Sequence, residues 1–524
     1  MIWPQRYDPL GSIVFSTAVA ALPIVALLGS LAWLRLRAPL AALLGLVTAL
    51  LIAILVLQMP PGMALASAGF GAAYGLLPIG WIVLNVIFLY QLVEHRGLLD
   101  VLRQSVTRVT ADPRLQLLLV AFSFGAFMEG AAGFGTPVAV TGGLLMALGF
   151  GPLQASGLSL IANTAPVAFG ALGTPIIALQ GVTGLDLHAL SAQVGHQLPL
   201  FSLIVPFWLV WAYAGWRGML EVWPAVLVAG AAFAIPQFLV ATLHGPWLVD
   251  LIAAGCSMGA LVLFLQVWRP AAKPNEAIPR MAWRPWVPWM LLTVLVFLWG
   301  IPQVKTQLNA IAAPRFPIPG LHNLVERVPP VVGAPAPEPA VFTLNWLSAT
   351  GTGILLAALC TAAFLRYRPG ELGRTWLKTV RLVRSSLLTI ALMLAIGYLT
   401  RYSGLDAILG LAFAHTGVLY PFFGTLLGWL GVALTGSDTS SNVLFGSLQT
   451  ITARRLGIDP VLMAAANSSG GVMGKMIDAQ SIVVAGTVTR FEGHEGEILR
   501  YVFFHSVALA SLVGLLVSIQ AFAG

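Results

Sequence analysis

Charge is what this chain lacks. Of its 524 residues only 9% are Asp, Glu, Lys or Arg, where a soluble domain carries about 25%. With 58% hydrophobic residues beside it, that deficit excludes a soluble globular protein, a disordered chain and a nucleic-acid binder. Lys and Arg exceed Asp and Glu by 27 to 19. They are scattered over short segments, so the sign of the balance points to membrane orientation and not to a phosphate partner. Cysteine is almost absent. Cys256 and Cys360 both lie in apolar runs and read as small packing residues, too few for a disulfide framework or a metal cluster. Met1 to Pro9 has no basic stretch of the signal-peptide kind, and the apolar segment 11–34 is too long for a signal core, so it reads as a first retained helix.

What the chain has instead is long uncharged runs. Ala38 to Val93 and Gly130 to Leu185 each hold 56 residues without a charge, and 222–249, 339–365, 407–437 and 501–524 are shorter versions. A helix needs about 20 apolar residues to cross the hydrocarbon core. Lipid admits only helices or closed barrels, and barrel strands would alternate in polarity. These runs are continuous and rich in Leu, Ala, Val and Gly. The expectation is an all-α polytopic membrane protein, with crossings from 11–34, 38–58 and 78–93 through 386–400 and 420–435 to 499–522, about 12–14 membrane segments in all. Basic clusters set the sides: Arg35 and Arg37; Arg96, Arg103, Arg108 and Arg114; Arg269, Lys273, Arg280 and Arg284; and a rich loop from Arg366 and Arg368 through Arg374, Lys378 and Arg381 to Arg384. Placing them in the cytoplasm puts the N-terminus and residues 303–342 outside. The latter, Pro-rich, read as a rigid extracytoplasmic loop.

Transporters are often built from inverted repeats, and one is visible here. "RGLLDVLRQSV" from Arg96 parallels "SGLDAILGLAF" from Ser403, and each leads to two polar, glycine-rich breaks in apolar sequence. The first copy begins among arginines. The second, one crossing later, carries only Asp406 and His415, so the halves enter from opposite faces. The inner spacings of the copies differ by about four residues. Five segments follow: scaffold 1–93, first transport core 94–185, connecting scaffold 186–400, second core 401–490 and a terminal helix 491–524.

Four breaks (129–137, 163–175, 435–442 and 467–475) are expected to meet near the midplane. Broken helices offer free N–H groups and a positive dipole end, which suit an anion, and Ser, Thr and Asn can bond a hydroxyl. The candidate substrate ligands are Gly133, Gly135, Thr136, Asn163, Thr164, Ser437, Thr439, Ser440, Ser441, Asn442, Asn467, Ser468 and Lys475. Intramembrane carboxylates are costly and point to function: Asp438, Glu129 and Asp478 are the candidates to carry a coupled proton. A structural Lys475–Asp478 pair at i, i+3 is the competing reading. Arg401 reads as a snorkelling residue, His415 and His505 as polar packing or interfacial groups, and Trp81, Trp283, Trp286 and Trp289 as interface anchors.

At these residues the sequence resembles the lactate permease family. The resemblance rests on "FGAFMEGAAGFGTPVAVTGGLLMALGF" from Phe124, "LIANTAPVAFGALGTPI" from Leu160, "FTLNWLSATGTGIL" from Phe342, "AHTG" from Ala414, "GWLGVALTGSDTSSNVLFGSLQ" from Gly428 and "AANSSGGVMGKMIDAQSI" from Ala465, with "QRYDPLGSI" at the start. It covers essentially the whole chain. It implies a secondary carrier of L-lactate, D-lactate and glycolate, driven by proton symport across the bacterial inner membrane. It further implies re-entrant hairpins and elevator-type movement, and it assigns no individual role to Glu129, Asp438 or Lys475. A homodimer is left open, and no cofactor is expected beyond the coupling proton. The alternatives are a sodium-coupled dicarboxylate carrier, a passive channel and a membrane-embedded enzyme. The last lacks an HExxH, a GxSxG-like elbow or a His/Cys cluster in this sequence.

Overall fold

The computed structural model describes residues 2–523, apart from 33, 35, 108, 132, 134, 135 and 269–282, and gives only the backbone of 31, 32, 102, 103, 106, 107 and 302. Among the described residues ten helices are long and apolar enough to cross a bilayer, or up to twelve if each of two sharply bent helix pairs is one span. Large apolar side chains lie bare on their outer surfaces, Val14, Leu243, Val267 and Phe504 each being more than 70% exposed. That much apolar surface needs lipid around it.

The chain opens with a strand, β1 (Trp3–Pro4), and helices α1 (Ile13–Ala32), α2 (Ala38–Leu55), α3 (Pro61–Tyr74) and α4 (Trp81–His95). The first repeat is α5 (Leu98–Thr107), α6 (Pro113–Leu117), α7 (Gly125–Ala131), α8 (Thr136–Ala147), α9 (Pro152–Ala162) and α10 (Gly170–Thr183). Three connecting helices follow: α11 (Leu187–Glu221), α12 (Trp223–Leu243) and α13 (Val249–Val267). Next come α14 (Val287–Gly300), α15 (Pro302–Ile311), strands β2 (Arg315–Pro317), β3 (Val325–Arg327), β4 (Ala336–Pro337) and β5 (Val341–Thr343), then α16 (Thr350–Phe364) and α17 (Pro369–Ser403). The second repeat is α18 (Leu405–Phe413), α19 (Tyr420–Thr435), α20 (Asp438–Leu456), α21 (Pro460–Gly474) and α22 (Ala479–Val488), closed by α23 (Glu495–Ala523).

Two faces are marked by ion pairs and strands. On one, Arg96 meets Glu371 at 3.1 Å and Arg114 meets Glu221 at 2.6 Å, bringing together the end of α4, the starts of α6 and α17 and the end of α11. This is the basic face. On the other, Trp3 pairs in parallel with Val325, β3 pairs with β4, and β2 pairs with β5. The N-terminal strand and the 303–342 segment therefore share a face, as the charge pattern implies. The segment is not a plain loop. It forms a helix and two small sheets, because its prolines leave short stretches between them that can still exchange backbone hydrogen bonds. The basic residues from Arg374 to Arg384 also lie in a helix, the first half of the 35-residue α17, and not in a loop. Arg35, Arg108, Arg269, Lys273 and Arg280 lie outside the described residues, as does the side chain of Arg103.

The repeats are inverted as expected. The first hairpin, α6–α8, starts beside Arg114 at the basic face, and its far end returns there, Phe150 packing 4.9 Å from Tyr213 of α11. The second hairpin, α19–α20, starts and ends at the opposite face. There Thr452 of α20 donates to the Gly410 carbonyl of α18 at 2.9 Å, and α18 begins against Gln5 of the N-terminal segment. Both hairpins turn on a left-handed glycine, Gly133 at φ 58° and Gly436 at φ 73°. These tip glycines, at 133 − 97 = 36 and 436 − 404 = 32 residues from the left-handed Gly97 and Gly404, account for the four-residue offset between the copies.

Candidate functional site

Each hairpin tip faces the bend of a broken helix. α9 and α10 meet at 62°, with Ala171, Leu172 and Gly173 all in left-handed backbone. α21 ends at Gly474 and α22 begins at Ala479, capped by Asp478, whose Oδ1 accepts from the Ser481 N–H at 2.7 Å. The second break thus spans 475–478 and not 467–475. Residues 467–474 stay helical because their glycines are a packing face: a methyl at Gly470 would collide with the Thr425 carbonyl oxygen, and one at Gly474 with that of Trp429. Likewise α19 runs to Thr435 and α20 starts at Asp438, so 439–442 form the first turn of a helix.

The tips and bends enclose a cavity of about 1260 Å³. Glu129, Gly133, Thr174 and Pro175 line it from the first repeat, and Thr435 to Ser440, Lys475, Gln480 and Ser481 from the second. It widens past Thr389, Ser386 and Ser385 of α17 to Arg37 and Glu495, and so opens towards the basic face. Of the candidate residues, Glu129, Gly133, Ser437, Asp438, Thr439, Ser440 and Lys475 line it.

Behind the wall lies a hydrogen-bonded layer. Asp438 Oδ2 accepts from Ser468 Oγ at 2.5 Å and from Asn442 Nδ2 at 3.2 Å. Asn442 Nδ2 also reaches the Pro175 carbonyl of the other repeat at 3.2 Å. Asn467 Nδ2 donates to Asn442 Oδ1 at 3.0 Å and its Oδ1 accepts from Gln449 Nε2 at 3.1 Å, while Ser441 Oγ donates to the Gly428 carbonyl at 2.9 Å. Ser441, Asn442, Asn467 and Ser468 therefore hold Asp438 in place. Asp438 Oδ1 has no hydrogen-bond partner among the described residues.

Lys475 Nζ donates to the Gly436 carbonyl at 2.6 Å and sits 3.2 Å from Asp478 Oδ2. Lys475 forms the i, i+3 pair with Asp478, the competing reading in the sequence, and it also lines the cavity. An ammonium has three donors; one is given to the Gly436 carbonyl, and Asp478 Oδ2 is a charge contact without a hydrogen bond. Glu129 is 5% exposed and nests against Gly170, where a methyl would sit 2.5 Å from its Oε1. Its Oε2, and both polar atoms of the neighbouring bend residue Asn163, are buried without a partner among the described residues. Thr164 donates to the Ile161 carbonyl within its own helix end. Thr136 starts α8 just off the cavity, and Gly135 lies outside the described residues.

A buried carboxylate beside the first hairpin tip escaped the sequence reading. Asp250, at the start of α13, is 1% exposed, and neither oxygen has a partner among the described residues. It packs on the first hairpin tip, 2.7 Å from where a methyl on Gly130 would be. In the sequence it falls inside the expected crossing 247–268 but at the very edge of the uncharged run 222–249, where composition does not set it apart. Other expectations are revised. Arg401 does not snorkel: it is partly buried in an ion pair with Glu338 at 2.7 Å. Trp289 is buried against Phe127, ring centroids 5.2 Å apart, and is no interface anchor. Cys256 and Cys360 are exposed rather than packed inside. His505 accepts from Trp208 Nε1 at 2.9 Å, a packing role as read.

Comparison with known proteins adds the following. The family model described as L-lactate permease matches residues 16–523. The chain is 45% identical to the glycolate permease GlcA of Escherichia coli strain K12, over 99% of this chain and 98% of that one. It is 44% identical to the L-lactate permease of Salmonella typhimurium over the same shares, and 43% identical to that of Bacillus subtilis strain 168, again over 99% and 98%.

Proposed function

Because the chain belongs to the L-lactate permease family, we propose that it is a secondary active transporter that imports L-lactate by proton symport, and D-lactate and glycolate with it. It works in the bacterial inner membrane with its N-terminus and the 303–342 segment on the periplasmic side. The observation that carries this reading is one cavity bringing two carboxylates, a lysine with a spare donor and the N-terminal turn of α20 to the meeting point of two inverted halves.

The free backbone donors of the first turn of α20 suit a carboxylate, and a spare N–H of Lys475 is available to it. The hydroxyls of Ser437, Thr439 and Ser440 suit the 2-hydroxyl of the acid. The proton goes to Asp438 or Glu129, both of which face the cavity, while Asp478 holds Lys475 and caps α22. An anion and a proton taken up together leave the loaded carrier no more charged than the empty one, so loaded and empty forms cross and half-loaded ones do not.

The test is proton uptake driven by a lactate gradient in proteoliposomes, with sodium absent. Asp438→Asn and Glu129→Gln keep the shape and remove the proton site. At least one of them is expected to lose lactate-driven proton uptake by about ten-fold or more while keeping lactate–lactate counterflow. Full coupling in both variants sinks the carboxylate assignment, and an absolute need for sodium sinks proton coupling.

A further inference from the structure

A second cavity, of about 300 Å³, lies beyond the first, on the face that carries the strands. It continues the same path. Pro175 of α10 lines the large cavity and Ile177 the small one, and on α17 Leu394 lines the large cavity and Tyr398, one turn on, the small one. The rings of Tyr74 and Tyr398 stand 5.6 Å apart in the wall of the small cavity, on the side of that boundary. Exposed Asn309 and Thr343 line its outer rim.

Inside it one charge stands out. Lys305 is the sole charged side chain among the described residues lining this cavity. Its Nζ lies 3.8 Å over the centre of the buried Trp247 ring, and it forms no ion pair among the described residues. The indole covers one side of the ammonium and leaves the others without a counter-charge, which is a costly state for a half-buried cation. His188 and His244 pack edge-on against the same indole at 6.3 and 5.8 Å and hold it in place. Asn345, Gln180 and Asn309 bring amide groups to the cavity wall, and Ser348 donates to Asn309 Oδ1 at 2.5 Å.

We propose that this cavity is an outer binding site for the carried acid, in which Lys305, braced on Trp247, takes the carboxylate of a short monocarboxylate before it passes to the deeper cavity. A single cation selects a single negative charge, and the aromatic wall accepts a small apolar carbon. The amides can meet a hydroxyl. The proposal rests on the carrier reading above and adds a second station on its path.

The experiment measures uptake from each face separately, in right-side-out and inside-out vesicles, for the wild type, Lys305→Gln and Lys305→Arg. Lys305→Gln is expected to raise KM for external L-lactate about ten-fold with Vmax within two-fold, and to leave KM from the inner face unchanged. Lys305→Arg keeps the charge and is expected to recover most of the external KM. An unchanged external KM overturns the site, and so does an equal rise from both faces, which marks a merely structural lysine. An independent readout is the emission of Trp247, taken as the difference between the wild type and Trp247→Phe in detergent and titrated with L-lactate, glycolate and acetate. A saturable change that Lys305→Gln abolishes supports the site even if transport of these acids fails, an outcome that would sink the carrier reading alone. No saturable change with any of the three acids overturns the site.

Discussion

Arg401 shows what a single residue does once it is placed. Its Nε and Nη2 hold Glu338 Oε1 at 2.8 and 2.7 Å, and its Nη1 reaches the Gly181 and Val182 carbonyls at the end of α10, at 3.4 and 3.3 Å. Glu338 also meets Arg327 at 2.9 Å. Loss of Arg401 leaves Glu338 with Arg327 as its remaining partner, so the cost is less than that of stranding a lone buried charge. Arg401→Met is expected to lower the melting temperature of the purified protein markedly. Arg401→Met with Glu338→Gln is expected to cost less than the two single losses summed. Strict additivity in thermal melts would show that the pair contributes nothing. The sequence displays Arg401 as a charge at the end of an apolar run, but its partner lies 63 positions away and spacing cannot reveal it. Glu129, Asp438 and Lys475 were legible for the opposite reason: each lies in sequence with few other charges, and the cost of burying a charge in lipid makes it conspicuous. Asp250 has the same burial but borders its run, so composition hides it.

At the scale of elements, the glycines of the second repeat divide into two uses. Gly436 turns a hairpin with a positive φ, while Gly428 lets α19 lie on α21, since a methyl there would run into the Asn467 backbone carbonyl. Gly428→Ala must push two helices apart and is expected to destabilise by about 1–3 kcal/mol. Gly259→Ala on α13, where the methyl meets nothing within 4 Å, is expected to be neutral or slightly stabilising. Equal melting temperatures for the two variants would refute the close-packing account. This division also explains the misplaced break. A cluster of Gly, Ser and Asn reads alike whether it ends a helix or seats it against a neighbour, and only the contact surface of α19 distinguishes the two. The order of the elements was legible because it follows from chain order and charge, which need no contacts.

For the whole molecule, the deep cavity widens past α17 towards Arg37 and Glu495 at the start of α23. With the basic face in the cytoplasm, Ser386→Cys, in a background where the exposed Cys256 and Cys360 are replaced by Ser, is expected to react with a membrane-impermeant thiol reagent applied to inside-out vesicles. Saturating lactate is expected to slow that reaction. Faster labelling of right-side-out vesicles would reverse the orientation. Inversion of the halves could be read from the arginines beside one copy and their scarcity beside the other. The meeting of four interruptions at one cavity could only be expected, because distance across a bundle is not written in any local pattern.

The parallel pairing of Trp3 with Val325 has a consequence for how the protein is made. The first strand stays without its partner until 325 − 3 = 322 further residues have been synthesised. Closing so large a loop is entropically costly and late in any assembly order. The outer sheet is then a seal set after the helices are inserted, and a chain released from the ribosome before about residue 340 would carry an unpaired strand on its outer surface, open to surveillance by proteases.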